Sequence, residues 1–334
     1  MDLFAGTRPV STDPSRRRYD RGMSIDVHAA AAAVWDRVVG RHHLQAVGGG
    51  VCVDLGVDVG GSLTDGVALA ELCTAGLMDV SVTPSRGLGP GAKVDVRTDH
   101  PVEACLATQY AGWPVQTDGY FAMGSGSMRA ARGREPMLES LGLVSSTSGP
   151  VVGVLESDRM PDEDVVALVA DHCGVRPDDV RLAVAPSTSL AGTVQVVART
   201  IETAMHKLHE LDFDVRTVQS AVGTAPLPPP AAAGDTIGGI GRTNDAILYG
   251  GEVFLWVDTT DEAIESVIAG VPSSSSGDHG RPFAEIFRRY DGDFYKVDPM
   301  LFSPAVLGIA NLRTGHAFTS GQTDPEILRE SFGL

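Results

Sequence analysis

Apolar residues recur at helical spacing from Ile25 to Val39, where Val27, Ala31, Val34, Trp35 and Val38 share one side and Gly40 closes the run. That spacing predicts an amphipathic helix. From Gly50 to Val59 short apolar runs alternate with Asp54 and Asp58 and are punctuated by Gly56, Gly60 and Gly61. This is the pattern of strand, turn and helix entry, and it places a helix from about Leu63 to Gly76. Further strands are expected at Met78 to Thr83, Ala92 to Thr98, Val151 to Glu156, Val180 to Ala185 and Val253 to Val257, each short and bounded by Gly, Pro or Asp. Helices are expected near Glu163 to His172, Gln195 to Leu211 and Asp261 to Ala269. Strands and helices do not alternate strictly, so the pattern predicts an α+β fold and not a doubly wound sheet. Pro226 to Gly241, rich in Pro, Ala and Gly, and Pro272 to Arg281, with four consecutive serines, read as linkers or active-site loops.

Length adds a second constraint. A chain of 334 residues exceeds the usual size of one hydrophobic core, so two domains, or one with large insertions, are expected. The expected division is a disordered leader at 1–23, a first α+β domain at 24–150 and a second at 151–334. That boundary is soft, and the C-terminal segment can join the first domain. Hydrophobic residues make up 43% and aromatics 6%, so the interior is built mainly of Ala, Val, Leu and Ile. The formal charge of −17, with no basic stripe, argues against nucleic-acid or anionic-membrane partners. Arg16, Arg17 and Arg18 lie near the start, but Asp20, Arg21, Asp26 and Asp36 interrupt the stretch after them, which is not the form of an export signal. No window reaches about 18 apolar residues, so no membrane span is expected. Cys52, Cys73, Cys105 and Cys173 are widely spaced without a C-x-x-C pair, which predicts reduced, buried thiols and a cytoplasmic protein.

Three groups of residues are candidates for chemistry. Gly234, Gly238, Gly239 and Gly241 lack the Lys-Ser/Thr of a phosphate-binding loop and read as a turn. Gly124-Ser125-Gly126-Ser127 precedes Arg129 closely; it reads either as an ordinary loop or as backbone amides beside a guanidinium, cradling an anionic or carbonyl-rich ligand. The segment Gln195 to Leu211 places Ile201, Met205 and Leu208 on one face and Arg199, Glu202, His206 and His209 in a neighbouring polar row. That row admits a surface salt bridge between Arg199 and Glu202. It equally admits a metal set of Glu202, His206 and His209, or a catalytic couple in which a guanidinium sets the pKa of a proton-relaying carboxylate.

Several long segments resemble the methenyltetrahydromethanopterin cyclohydrolases: "CVDLGVDVGGSLTDGVALAELC" from Cys52, "TDHPVEACLATQYAGWPV" from Thr98 and "YFAMGSGSMRA" from Tyr120. So do "VAPSTSLAGTVQVVARTIETAMHKLHELDFD" from Val184, "GRTNDAILYGG" from Gly241 and "DFYKVDPMLFSPAVLGIANLRTG" from Asp293. Together they cover nearly everything after the leader, in order.

The resemblance implies a two-domain α+β subunit of mixed sheets with flanking helices, a deep interdomain pocket and a homotrimeric assembly. It implies a pterin substrate, opened by water at a methenyl bridge, with no metal and no separate cofactor. The family's catalytic Arg and Glu, three residues apart, fall on Arg199 and Glu202 in "ARTIET". Glu202 is then the proton relay, and Arg199 orients it and tunes its pKa. Gln109, Ser125, Arg129, Ser187, Thr188 and Asn244 lie in the blocks implied to bind substrate. Pro186-Ser187-Thr188 and Ser127 depart mildly from the family's usual residues. The competing expectations are a metal-dependent hydrolase using Glu202, His206 and His209, and a pterin-binding homologue without turnover.

Overall fold

The computed structural model describes residues 25–334 other than 90, 111, 294 and 295, so the expected leader lies outside the described residues. The strands, in chain order, are β1 (Leu44–Val47), β2 (Gly50–Asp54), β3 (Asp79–Ser85), β4 (Gly91–Thr98), β5 (Trp113–Gln116) and β6 (Phe121–Ser125). They continue with β7 (Val151–Glu156), β8 (Val180–Ala185), β9 (Val218–Leu227), β10 (Glu252–Val257), β11 (Val306–Asn311) and β12 (Ala317–Gly321). The α-helices are α1 (Val27–Val39), α2 (Leu63–Cys73), α3 (Ser127–Arg132), α4 (Pro136–Ser140), α5 (Glu163–Cys173) and α6 (Leu190–Val197). They are followed by α7 (Thr200–Glu210), α8 (Thr236–Leu248), α9 (Asp261–Glu265), α10 (Phe283–Arg289) and α11 (Pro325–Phe332). A π-helix spans Val102–Gln109. Among the described residues no helix is long and apolar enough to cross a membrane.

Two mixed six-stranded sheets result, and the fold is α+β. The first has the order β1-β2-β8-β7-β6-β5, the second β12-β11-β10-β9-β4-β3. In the first, β2, β8 and β7 run parallel and β6 and β5 antiparallel. Its parallel strands are apolar on both faces because helices cover both. Val152, Val154, Ala183 and Ala185 pack with Val34 and Trp35 of α1 and Leu69 and Leu72 of α2. Val151, Leu155, Leu182 and Val184, pointing the other way, pack with Val165, Val166 and Val169 of α5.

The second sheet is covered on one face. Val94, Val96, Ala221, Leu255 and Ile309 meet Ile201 and Met205 of α7, Leu248 of α8 and Ile286 of α10. The alternating polar positions of β3 and β4 face outward, the period of two of a half-buried strand.

The chain visits the sheets alternately: β1 and β2, then β3 and β4 in the other sheet, then β5 to β8, then β9 to β12. A cut between residues 150 and 151 falls inside the first sheet, between the paired strands β6 and β7, and does not part the two sheets. Hydrogen-bond ladders and matched apolar faces, not adjacency along the chain, decide membership.

Two expectations need correction. Gly238, Gly239 and Gly241 form no turn; they lie in the first turns of α8, begun by the Asp235 carboxylate accepting from the Gly238 N–H at 2.9 Å. A Cβ at Gly239 would sit 3.1 Å from the Ser187 carbonyl oxygen and one at Gly241 2.7 Å from Ala284 Cβ. The glycines therefore serve close packing of a helix. The expected helix from Gln195 to Leu211 is two helices, α6 and α7, broken at Ala198 and Arg199.

Candidate functional site

The break between α6 and α7 builds the site. Where a helix stops, carbonyls lose their partners. Thr200 Oγ1 donates to the Val197 carbonyl at 2.8 Å, and Gln109 Nε2, from the end of the π-helix, donates to that of Ala198 at 3.2 Å. Arg199 stands at the junction as the residue before α7 and turns away from the polar row. Its Nη1 donates to the Gln109 carbonyl at 2.6 Å and its Nη2 to Ser125 Oγ, at the end of β6, at 3.4 Å. With the Gln195 amide oxygen toward it, Nε and Nη2 also donate there, at 3.1 and 2.9 Å. The Ser125 hydroxyl lies 3.1 Å from the buried thiol of Cys73. All four cysteines are free and buried.

Glu202 lies one turn into α7, 5% exposed. Among the described residues none donates a hydrogen bond to its carboxylate, and Arg199 forms no ion pair with it. The expected surface salt bridge is absent because the helix break sends the guanidinium toward Ser125 and Gln195. Burial pushes the Glu202 carboxyl up to about 7, against the pull of Arg199 and then Arg129. Neighbouring Tyr110 is pushed up to about 12, first by burial and then by the Glu202 charge.

Arg129 is fully buried and committed to the protein. Its Nε donates to Glu135 at 2.9 Å, its Nη2 pairs with the same carboxylate, and its Nη1 donates to the Leu106 carbonyl at 3.0 Å. It lies 4.9 Å above the Tyr110 ring, which stacks on His206 at 4.6 Å. The glycine-serine cluster ahead of it is likewise occupied. The Gly126 N–H donates to the Thr108 carbonyl at 2.8 Å, and Ser127 Oγ accepts from the Val152 N–H at 3.1 Å. An open anion cradle does not form there.

Gln109, Ser125, Arg199 and Glu202 are thus brought together, with Arg129 beside them. Ser187, Thr188 and Asn244 stand apart in bonding: the Ser187 carbonyl accepts from Thr193 Oγ1 at 3.2 Å, and Asn244 Nδ2 donates to Ile240, one turn back in α8, at 2.8 Å. Glu202, His206 and His209 do not converge. His206 Nε2 faces Glu210 at 3.6 Å, and among the described residues no three His, Cys, Asp or Glu side chains are placed to hold a metal ion.

Sequence reasoning passed over Glu156, the last residue of β7. Burial raises its carboxyl pKa and Arg199 lowers it. Its signal in the sequence was an acid closing an apolar strand run, VVGVLE. A cavity of about 930 Å³ over the outer face of the second sheet includes none of these residues. Four of its charges pair, Lys93 with Asp95 and Arg97 with Asp79, both at 2.8 Å, and Glu252 also lines it.

Residues 32–332 match the family model described as "Cyclohydrolase (MCH)". A methenyltetrahydromethanopterin cyclohydrolase of Rhodopirellula baltica is 55% identical over 321 residues, covering 94% of this chain and 96% of its own. Proteins of the same name from Methylobacillus flagellatus and Methanococcoides burtonii are 43% and 41% identical, covering 85% and 86% of this chain and 86% and 89% of theirs.

Proposed function

Because the chain belongs to the methenyltetrahydromethanopterin cyclohydrolase family, we propose that it adds water to the methenyl bridge of tetrahydromethanopterin, or its dephospho form, giving the 5-formyl derivative. Glu202 is the proton carrier. The observation that carries this reading is a buried carboxyl, free of protein hydrogen bonds and poised near neutrality, one turn from a guanidinium whose donors are engaged elsewhere.

The methenyl carbon lies between two nitrogens and carries their shared positive charge, so it is electrophilic enough for water once a base takes the proton. The Glu202 carboxylate takes it as the carbon–oxygen bond forms, leaving a neutral tetrahedral adduct. The carboxylic acid then returns that proton to the departing nitrogen, the carbon–nitrogen bond breaks, and the adduct hydroxyl loses its proton as the formyl C=O forms. One proton is released overall, balancing a cation and water against a neutral product.

Arg199 acts on this cycle through its charge. A carboxylate alone in the interior would stay protonated at neutral pH, and the guanidinium brings it back into range. Without a direct ion pair, the Glu202 oxygens remain available to water. The pterin is expected between the two sheets, the assembly is expected to be a homotrimer by light scattering, and four free thiols fit a cytoplasmic location.

Glu202→Gln is expected to lower the hydration rate by about 10²–10⁴-fold, read from loss of the methenyl absorbance. Normal turnover of that variant would remove Glu202 from the mechanism. Because the first step needs the carboxylate, the parent rate should rise with pH around a midpoint near 7.

A further inference from the structure

Arg199 has a second carboxylate neighbour, which the proton cycle does not use. Glu156 ends β7 on the face that carries Val152 and Val154 against α1 and α2, since side chains two apart share a face. Its sheet neighbours are Met123 on β6 and Ala185 on β8. It therefore stands at the carboxyl end of the parallel trio β2, β8 and β7, where open sheets present a ligand crevice.

The Glu156 carboxylate is half-buried and accepts no hydrogen bond from any described residue, and Arg199 reaches the same sheet face through Ser125, which pairs with Val154 two residues before Glu156. A structural role would have given it a donor. The guanidinium nearby donates to Gln109, Ser125 and Gln195, none of its bonds reaching Glu156. A partly desolvated carboxylate with both oxygens unused lowers stability, and such a group is retained where a ligand completes it.

The chemistry of a carboxylate identifies the missing partner. It only accepts, and its two oxygens match an edge that presents two parallel N–H donors. Taking the proposed substrate as given, the pterin ring has such an edge in its exocyclic amino group and adjacent ring N–H. It lies at the far side of the fused ring from the methenyl bridge that Glu202 attends. We propose that Glu156 binds this amino edge of the pterin and is a specificity-determining residue. The two carboxylates around Arg199 thus divide the work: one holds the ring, the other moves the proton.

The test compares the full chain with its Glu156→Gln and Glu156→Asp variants, in turnover of the methenyl pterin and in binding of two probes. The probes are a tetrahydropterin fragment and its analogue lacking the exocyclic amino group. The parent is expected to prefer the amino-bearing probe by about tenfold or more. Glu156→Gln should lose that preference and raise KM by a similar factor, with kcat within about threefold. Glu156→Asp, which keeps the charge, should restore part of the preference. The assignment is overturned if Glu156→Gln keeps both KM and the preference, or if its kcat collapses at unchanged KM. A parent that prefers the amino-bearing probe but does not turn over the methenyl pterin would sink the reaction and leave Glu156 as the ring-binding group.

Discussion

Glu202 enters the folded interior with a carboxyl that holds its proton more tightly than in the unfolded chain, about 7 against an ordinary 4.5. Between those values the folded state binds more proton than the unfolded one, so stability declines as pH rises through the window, by up to about 1.4 kcal/mol per pH unit. Above pH 7 the buried charge is a net cost of folding that Arg199 and Arg129 offset only in part, while below 4.5 it makes no difference. Glu202→Gln should therefore be more stable than the parent at pH 8 by about 3 kcal/mol and equal to it near pH 4. Urea unfolding at both values would show it. If the same variant also loses turnover, Glu202 is kept for chemistry, not for packing.

The break between α6 and α7 is the element on which the site depends. Gln109 and Thr200 satisfy the two carbonyls it exposes, and the Gln109 carbonyl in turn holds Arg199. Gln109→Leu leaves the Ala198 carbonyl buried and unpaired, at a cost of about 1–3 kcal/mol, but keeps the backbone carbonyl that accepts from Arg199, so stability should fall while kcat falls only as far as the helix break shifts. Thermal unfolding and turnover measured on the same preparation would separate the two effects. Close approach matters equally on the far side of α7. A Cβ at Gly223 of β9 would come 3.0 Å from Ile201 Cγ1, so Gly223→Val should push α7 off the second sheet. Its expected signature is a lowered melting temperature together with lost activity, although residue 223 touches no proposed substrate group.

Because the chain crosses between sheets three times, neither sheet is a contiguous stretch of sequence. Separating residues 25–150 from 151–334 severs β6 from β7 in the first sheet and β4 from β9 in the second. Neither fragment is expected to show a cooperative unfolding transition alone, whereas the whole chain should. Circular dichroism of the two fragments, separate and mixed, provides the measurement.

Local pattern alone determined β7, β8 and β10, the buried face of α7 and the amphipathic α1, because periodicity is a property of neighbouring residues. The spacing of Arg199 and Glu202 marked them as candidates only, and the resemblance of their block to the family singled them out as a catalytic couple. Only tertiary structure decided that these two form no salt bridge, that Arg129 is spent on Glu135, and that the α8 glycines are packing contacts with Ser187 and Ala284. Glu156 looked like the ordinary end of a strand until the fold set it beside Arg199. Partners such as Ser125 and Arg199, 74 positions apart, meet through the burial of whole helix and sheet faces, and no local window of sequence encodes that approach.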